Sequence, residues 1–226
     1  MRFVKILPAF AAVISLSATV TPASAAQVTL CGDNICYEFD DAQSGISSFG
    51  NPIISGDALI WLVPQFRAES LDGAGLDTAS DSFVIDSVYS LTGEAIQYVG
   101  IVEQGDYEIT NGDRVSAELT LDVQDNDTLM TGSVSELFTA NGDSGGLQEW
   151  QISAFHNPMM HFGTATDIQL TVTDILEAET DAAGEAAWIQ KKIQIAATTV
   201  VPIPAAAWLF MSALGLIVLR GRQTAK

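Results

Sequence analysis

Arg114-Val115-Ser116-Ala117-Glu118-Leu119-Thr120-Leu121-Asp122-Val123 is the stretch that decides the fold class of this chain. Apolar residues fall at 115, 117, 119, 121 and 123, and polar ones at 116, 118, 120 and 122. Period two is the signature of a β-strand with one face in a core and one in water. The same alternation recurs at Trp150, Ile152 and Ala154, and at Ile168, Leu170 and Val172. Further strands are predicted at residues 58–63, 82–89, 96–103, 107–110, 128–138 and 188–195. Between them lie turn-forming clusters such as Asn111-Gly112-Asp113, Asp125-Asn126-Asp127 and Asn141-Gly142-Asp143. Residues 42–57 and 70–82, rich in Gly, Asp and Ser, read as long surface loops. No amphipathic helix is predicted before Pro202, and no internal repeat is present. Ten or so short strands without βαβ alternation predict an all-β protein, an antiparallel β-sandwich of jelly-roll type.

The two cysteines sit in Leu30-Cys31-Gly32-Asp33-Asn34-Ile35-Cys36. Gly-Asp-Asn is turn chemistry flanked by strand residues, so Cys31 and Cys36 face each other across a hairpin. In an exported chain this predicts a disulfide. Its loop is so short that the bond adds only about 2–3 kcal/mol by loop closure. The spacing is not C-x-x-C, and no further cysteine exists to complete a zinc site.

All 28 acidic residues lie between Asp33 and Glu185. Over the same body only four basic residues occur, Arg67, Arg114, Lys191 and Lys192, for a formal charge of −24. A nucleic acid or anionic lipid partner needs a basic footprint, and this composition excludes one. The charge suits an extracellular domain that stays dispersed or collects divalent cations.

Both ends differ from the body. Arg2 and Lys5 precede an apolar run over 6–20, and Ala23-Ser24-Ala25-Ala26 supplies a small-residue cleavage site, so residues 1–26 read as a signal peptide. Residues 27–199 form the β-sandwich domain. Residues 200–226 hold an uncharged run over 200–219, long enough to span a bilayer as a transmembrane helix, followed by Arg220, Arg222 and Lys226. Val201-Pro202-Ile203-Pro204-Ala205, that apolar run and the terminal basic residues together resemble a VPLPA-type C-terminal sorting domain. This is a relative of the PEP-CTERM signals processed by bacterial exosortases. Ile203 stands where the family more often has Leu. The resemblance implies a Gram-negative source, an exosortase-type enzyme of the inner membrane as partner, and delivery to the cell surface or extracellular matrix. Pro202 and Pro204 hold the backbone extended beside the apolar run, where a processing enzyme can reach it.

Candidate chemistry in the body is sparse. Asp122, Asp125, Asn126 and Asp127 are the densest oxygen ligands and a candidate structural Ca²⁺ site. They lack the spacing of an EF-hand loop, and a solvated β-turn is the alternative. His156 and His161 flank Pro158, which is expected to break any helix between them. A glycoside hydrolase needs two carboxylates converging on a cleft; among 28 acidic residues Glu103 and Glu149 are choices that nothing in the sequence forces. Trp61 and Trp150 fall within apolar strand patterns and are expected in the core, while Trp188 could be core or platform. Lys191 and Lys192 are expected to pair with surface carboxylates. The sequence therefore points to an exported noncatalytic protein of the cell surface or exopolysaccharide matrix, with no cofactor. The alternatives are a secreted carbohydrate-binding module, which needs exposed Trp or Tyr rings on one sheet face, and a secreted glycoside hydrolase, which needs paired carboxylates in a groove.

Overall fold

A computed structural model describes residues 26–200. The chain begins with a hairpin of β1 (Gln27–Cys31) and β2 (Ile35–Asp40), then a short helix α1 (Ser44–Phe49) and a three-residue strand β3 (Ile53–Ser55). Long strands follow: β4 (Ala58–Leu71), β5 (Gly75–Ser90), β6 (Ile96–Thr110), β7 (Arg114–Asp125), β8 (Thr131–Asn141) and β9 (Gln148–His156). A second short helix, α2 (Pro158–Phe162), precedes β10 (Asp167–Thr180) and β11 (Ala186–Val200). All the strand pairings in the two sheets are antiparallel.

The strands form a six-stranded sheet, β1-β2-β5-β10-β7-β8, and a five-stranded sheet, β3-β4-β11-β6-β9. Four neighbour relations define the topology: β4 lies beside β11, β5 beside β10, β6 beside β9 and β7 beside β8. This is one long antiparallel ribbon, closed at the β7–β8 hairpin and wrapped so that its arms alternate between the sheets. The arrangement is a jelly roll, as the alternating strands predicted. β1 and β2 widen one sheet and β3 the other.

Inward residues of both sheets make the core. β10 shows the pattern most regularly: Ile168, Leu170, Val172, Leu176 and Ala178 are buried and their neighbours are partly exposed. Trp61, Phe83 and Phe39 pack at its centre, with ring centroids of Trp61 and Phe83 5.1 Å apart and of Phe39 and Phe83 5.3 Å apart. Each such side chain contributes about 1.5–3 kcal/mol by leaving water. Trp61 and Trp150 are core residues, as expected.

Four readings of the sequence are corrected. Residues 70–82 are not a loop. β4 runs to Leu71 and β5 starts at Gly75, with a tight turn at Asp72 and Gly73, both at positive φ. Their Gly, Asp and Ser content argues against a strand, but pairing of β5 with β10 from Gly75 to Tyr89 overrides that preference. Residues 42–57 contain α1 and β3, and Ser44 and Ser48 of α1 donate to Asp81 on β5. The strands expected at 96–103 and 107–110 are one strand, β6. Finally, Pro158 does not break a helix but opens α2, a position where its missing N–H costs nothing. Asn157 caps it by accepting from the Met160 N–H at 2.9 Å. With five and six residues, both helices are too short to show a 3.6-residue period.

Cys31 and Cys36 form the expected disulfide at the end of the β1–β2 ladder. Asp57, at the β3–β4 turn, holds that hairpin to the sandwich. Its carboxylate accepts from the Asn34 N–H at 2.7 Å and from the Asn34 side chain at 2.8 Å.

Candidate functional site

A β-bulge in β11 organises the chemistry of the body. Pairing with both β4 and β6 shifts register between Lys191 and Ile193. A bulge puts an extra residue on one strand and reverses which positions face inward beyond it. Before the bulge, Ala187, Ile189 and Lys191 point into the core; after it, Gln194, Ala196 and Thr198 do. Lys192 and the isoleucines at 193 and 195 are thereby turned to the outside. Lys191 and Lys192, adjacent in sequence, serve opposite faces of one sheet.

Inside, Lys191 is completely buried, which corrects the expected surface pairing. Its Nζ donates to Glu103 Oε1 at 3.0 Å, to Asp174 Oδ2 at 2.5 Å and to Gln194 Oε1 at 2.6 Å. Glu103 comes from β6 and Asp174 from β10, so the cluster joins both sheets through the core. The ammonium also lies 4.0 Å from the centroid of the Phe49 ring and 5.3 Å from that of Phe66. Burial, and then the charge of Asp174, push the Glu103 carboxyl well above the usual carboxylate range. Oδ1 of Asp174 is buried without a hydrogen-bond partner.

Outside, a groove of about 360 Å³ crosses β9, β6 and β11 at the same bulge. Asp106, Glu149, Gln104, Gln151 and Lys192 supply its polar groups. Lys192 pairs with Asp106, which stands opposite Glu149 in the β6–β9 register. The Gln104 amide donates to Gln151 at 2.8 Å. Trp150 lies in the floor and donates from its indole nitrogen to the Gln190 carbonyl at 3.1 Å. Gly105 makes this close approach possible, because a Cβ there would stand 1.8 Å from the Gln190 carbonyl oxygen.

The groove opens onto an apolar band across the outer face of the five-stranded sheet. One register row reads Ile53, Ile60, Ile195 and Val102. Beside it, Leu62, Ile193, Gln104 and Gln151 pass from apolar to polar. A third row reads Ala58, Ala197, Gly100 and Phe155, with the Phe155 ring laid over Gly100. Leu62, Phe155 and Tyr98 are exposed by 66%, 60% and 47%. Contiguous apolar surface of this kind marks a place of contact. Trp188 belongs to the same face but is covered by the Arg67 guanidinium, 4.3 Å from its ring centroid.

Other residues singled out from the sequence fall elsewhere. Glu103 and Glu149 occupy opposite faces of the five-stranded sheet, one buried in the core and one exposed, and share no cleft. Asp122 is exposed on the outer face of the six-stranded sheet, whereas Asp125 is buried. Asp125 accepts from the Asp127 N–H at 3.0 Å and from the Thr128 hydroxyl at 2.6 Å. Asn126 donates to the Asp86 carbonyl at 3.1 Å and to Asp167 Oδ1 at 2.8 Å. Asp125 and Asn126 thus brace the β7–β8 turn from two sides, and Asp122 takes no part. Among the described residues no group of three or more His, Cys, Asp or Glu side chains stands together to hold a metal. The rings of His156 and His161 lie 5.3 Å apart. Burial, reinforced by His161, lowers the pKa of His156. A second depression, about 530 Å³, lies on the six-stranded sheet and is lined by polar side chains including Asp122, Gln124, Ser133 and Gln169.

The expected signal peptide over 1–26, all but Ala26, and the Val201, Pro202, Ile203, Pro204, Ala205 motif with the run that follows it lie outside the described residues. Among those described, no helix is long and apolar enough to cross a membrane.

No protein-family model matches the chain, and no curated protein matches it. Among solved structures it is similar to TmCBM61, a carbohydrate-binding module, in complex with beta-1,4-galactotriose. The identity is 12% over 69% of this chain and 94% of that one, with a TM-score of 0.27. It is also similar to a chain of the infectious bursal disease virus Gt strain, at 10% identity over 72% of this chain and 41% of that one, with a TM-score of 0.33. Both likenesses are too distant to bear on what the chain does.

Proposed function

We propose that this is an exported noncatalytic protein of the cell surface or exopolysaccharide matrix. It is held at the inner membrane by its C-terminal segment until an exosortase-type enzyme acts at Val201–Ala205. The Cys31–Cys36 disulfide is the observation that carries export, because such bonds persist in oxidising compartments. The basic-then-apolar order at the start of the chain and the apolar-then-basic order at its end support the same route. Mass spectrometry of the mature protein tests it. A new C-terminus near Pro202–Pro204, lost when both prolines are replaced by alanine, is expected. Full-length protein ending at Lys226 in the inner membrane would refute sorting.

Polysaccharide binding is a second reading, favoured by the five-stranded sheet. Its groove sets the hydrogen-bonding groups of Gln104, Gln151, Asp106 and Glu149 next to an apolar band bearing Tyr98 and Phe155. Sugar rings need that combination, apolar faces to stack and polar edges to satisfy their hydroxyls. Calorimetry against neutral oligosaccharides, with Gln104→Ala and Phe155→Ala as controls, decides it. Binding that both substitutions leave unchanged would remove this face from consideration.

A further inference from the structure

The cluster at Lys191 is the most unusual feature of the core, and neither sorting nor polysaccharide binding uses it. An acidic surface protein with four basic residues in its body places one of them wholly out of water. Two carboxyl groups and an amide oxygen lie around the amine, and two aromatic rings close the site. Burying an ammonium and a carboxylate in such surroundings costs several kcal/mol per ion, which their attraction only partly offsets. The orphaned Oδ1 of Asp174 adds to the cost.

We propose that Lys191 and Asp174 condense to an intramolecular amide cross-link, with Glu103 carrying the protons. The geometry supplies each requirement. Nζ is 2.5 Å from Oδ2 of Asp174, so nucleophile and carboxyl carbon are held together by the fold. Effective concentrations in such pairs reach about 10⁵–10⁸ M, enough to drive steps that do not occur between free side chains. Only a neutral amine is a nucleophile, and the carboxylate that Nζ already touches is the base that can take its proton. Glu103 touches the reacting nitrogen at 3.0 Å and is held protonated by burial and by Asp174, so it has a proton to give and a carboxyl oxygen to take one back.

The balance closes without any other reactant. The ammonium of Lys191 first passes one proton to Asp174. The amine then forms the Nζ–Cγ bond, Glu103 protonates the departing oxygen and recovers a proton from the nitrogen, and the Cγ–Oδ bond breaks. Two protons leave the nitrogen and depart with that oxygen as one water. No electron changes hands. Two buried charges become one neutral amide. The bond ties β10, inside the six-stranded sheet, to β11, inside the five-stranded one, and so staples the sandwich through its middle.

The intact mass of the reduced, full-chain protein tests this. Wild type is expected to be lighter than its sequence by one water, and proteolysis to yield a branched fragment joining the peptides of Asp174 and Lys191. Glu103→Gln and Lys191→Met are expected at full mass. Loss of the cross-link in Glu103→Gln is expected to lower the melting midpoint by roughly 10 °C. A folded wild type that keeps its full mass after prolonged incubation overturns the cross-link. So does a water loss that maps to another residue pair. A water-light Glu103→Gln overturns the role of Glu103.

Discussion

On the inner side of the β11 bulge, Lys191 is out of water and surrounded by Glu103, Asp174 and Gln194, whereas on the outer side Lys192 is half-exposed beside Asp106. Both sites consist of a lysine and two carboxylates, since Glu149 stands opposite Asp106 as Asp174 stands near Glu103. The chemistry differs because the medium differs. In water the outer pair is screened and contributes little, while in the core every charge must be matched or neutralised. One extra residue in a strand separates an adaptable surface from a reactive interior.

The largest break in this contrast comes from Lys191→Met. The substitution prevents the cross-link and leaves the buried carboxyls of Glu103 and Asp174 without their partner, and a loss of about 3–5 kcal/mol in urea unfolding is expected. A loss no larger than that of the equivalent change at position 192 would erase the distinction. The pH dependence sharpens it further. The folded pKa of Glu103 is raised above its ordinary value of 4.5, so the native state holds a proton that the unfolded chain releases. Its contribution is therefore complete below about pH 4.5 and is lost as pH rises toward the folded pKa. Glu103→Gln should flatten that part of the curve, and an unchanged slope would sink the assignment.

Gly105→Ala acts on both sides at once, since a Cβ there meets the Gln190 carbonyl and the Trp150 indole. A loss of about 1–3 kcal/mol is expected, with a shifted Trp150 fluorescence reporting the disturbed groove floor. The smallest effect belongs to Lys192→Ala. The lysine of this pair is half-exposed although Asp106 is buried, so a loss of about 1 kcal/mol or less is expected, and added salt should reduce it. A larger value would mean that the groove is less open to solvent than its geometry indicates.

Strand residues with regular alternation were legible in the sequence, and so were the turns between them. β7 and β10 run as their patterns require, because each buries one face against the other sheet. The segment at 75–81 was not legible, since its polar residues become a strand only by pairing with β10. The bulge was hidden for a related reason. Ile189, Ile193 and Ile195 share one face in an unbroken strand, yet beyond the bulge the last two face outward. That reversal conceals both the buried lysine and the apolar band. The candidate groove had partial signals, Glu149 and Trp150, but Gln104, Asp106 and Gln151 carry no motif.

The chain alone determined an all-β body, its disulfide, its acidic charge and the distinct character of its two ends. These follow from local pattern, short-range spacing and composition. Tertiary structure decided which face each lysine takes, which carboxylates meet and where apolar surface stays uncovered. Those outcomes depend on register between strands distant in sequence, and one residue of shift exchanges inside for outside.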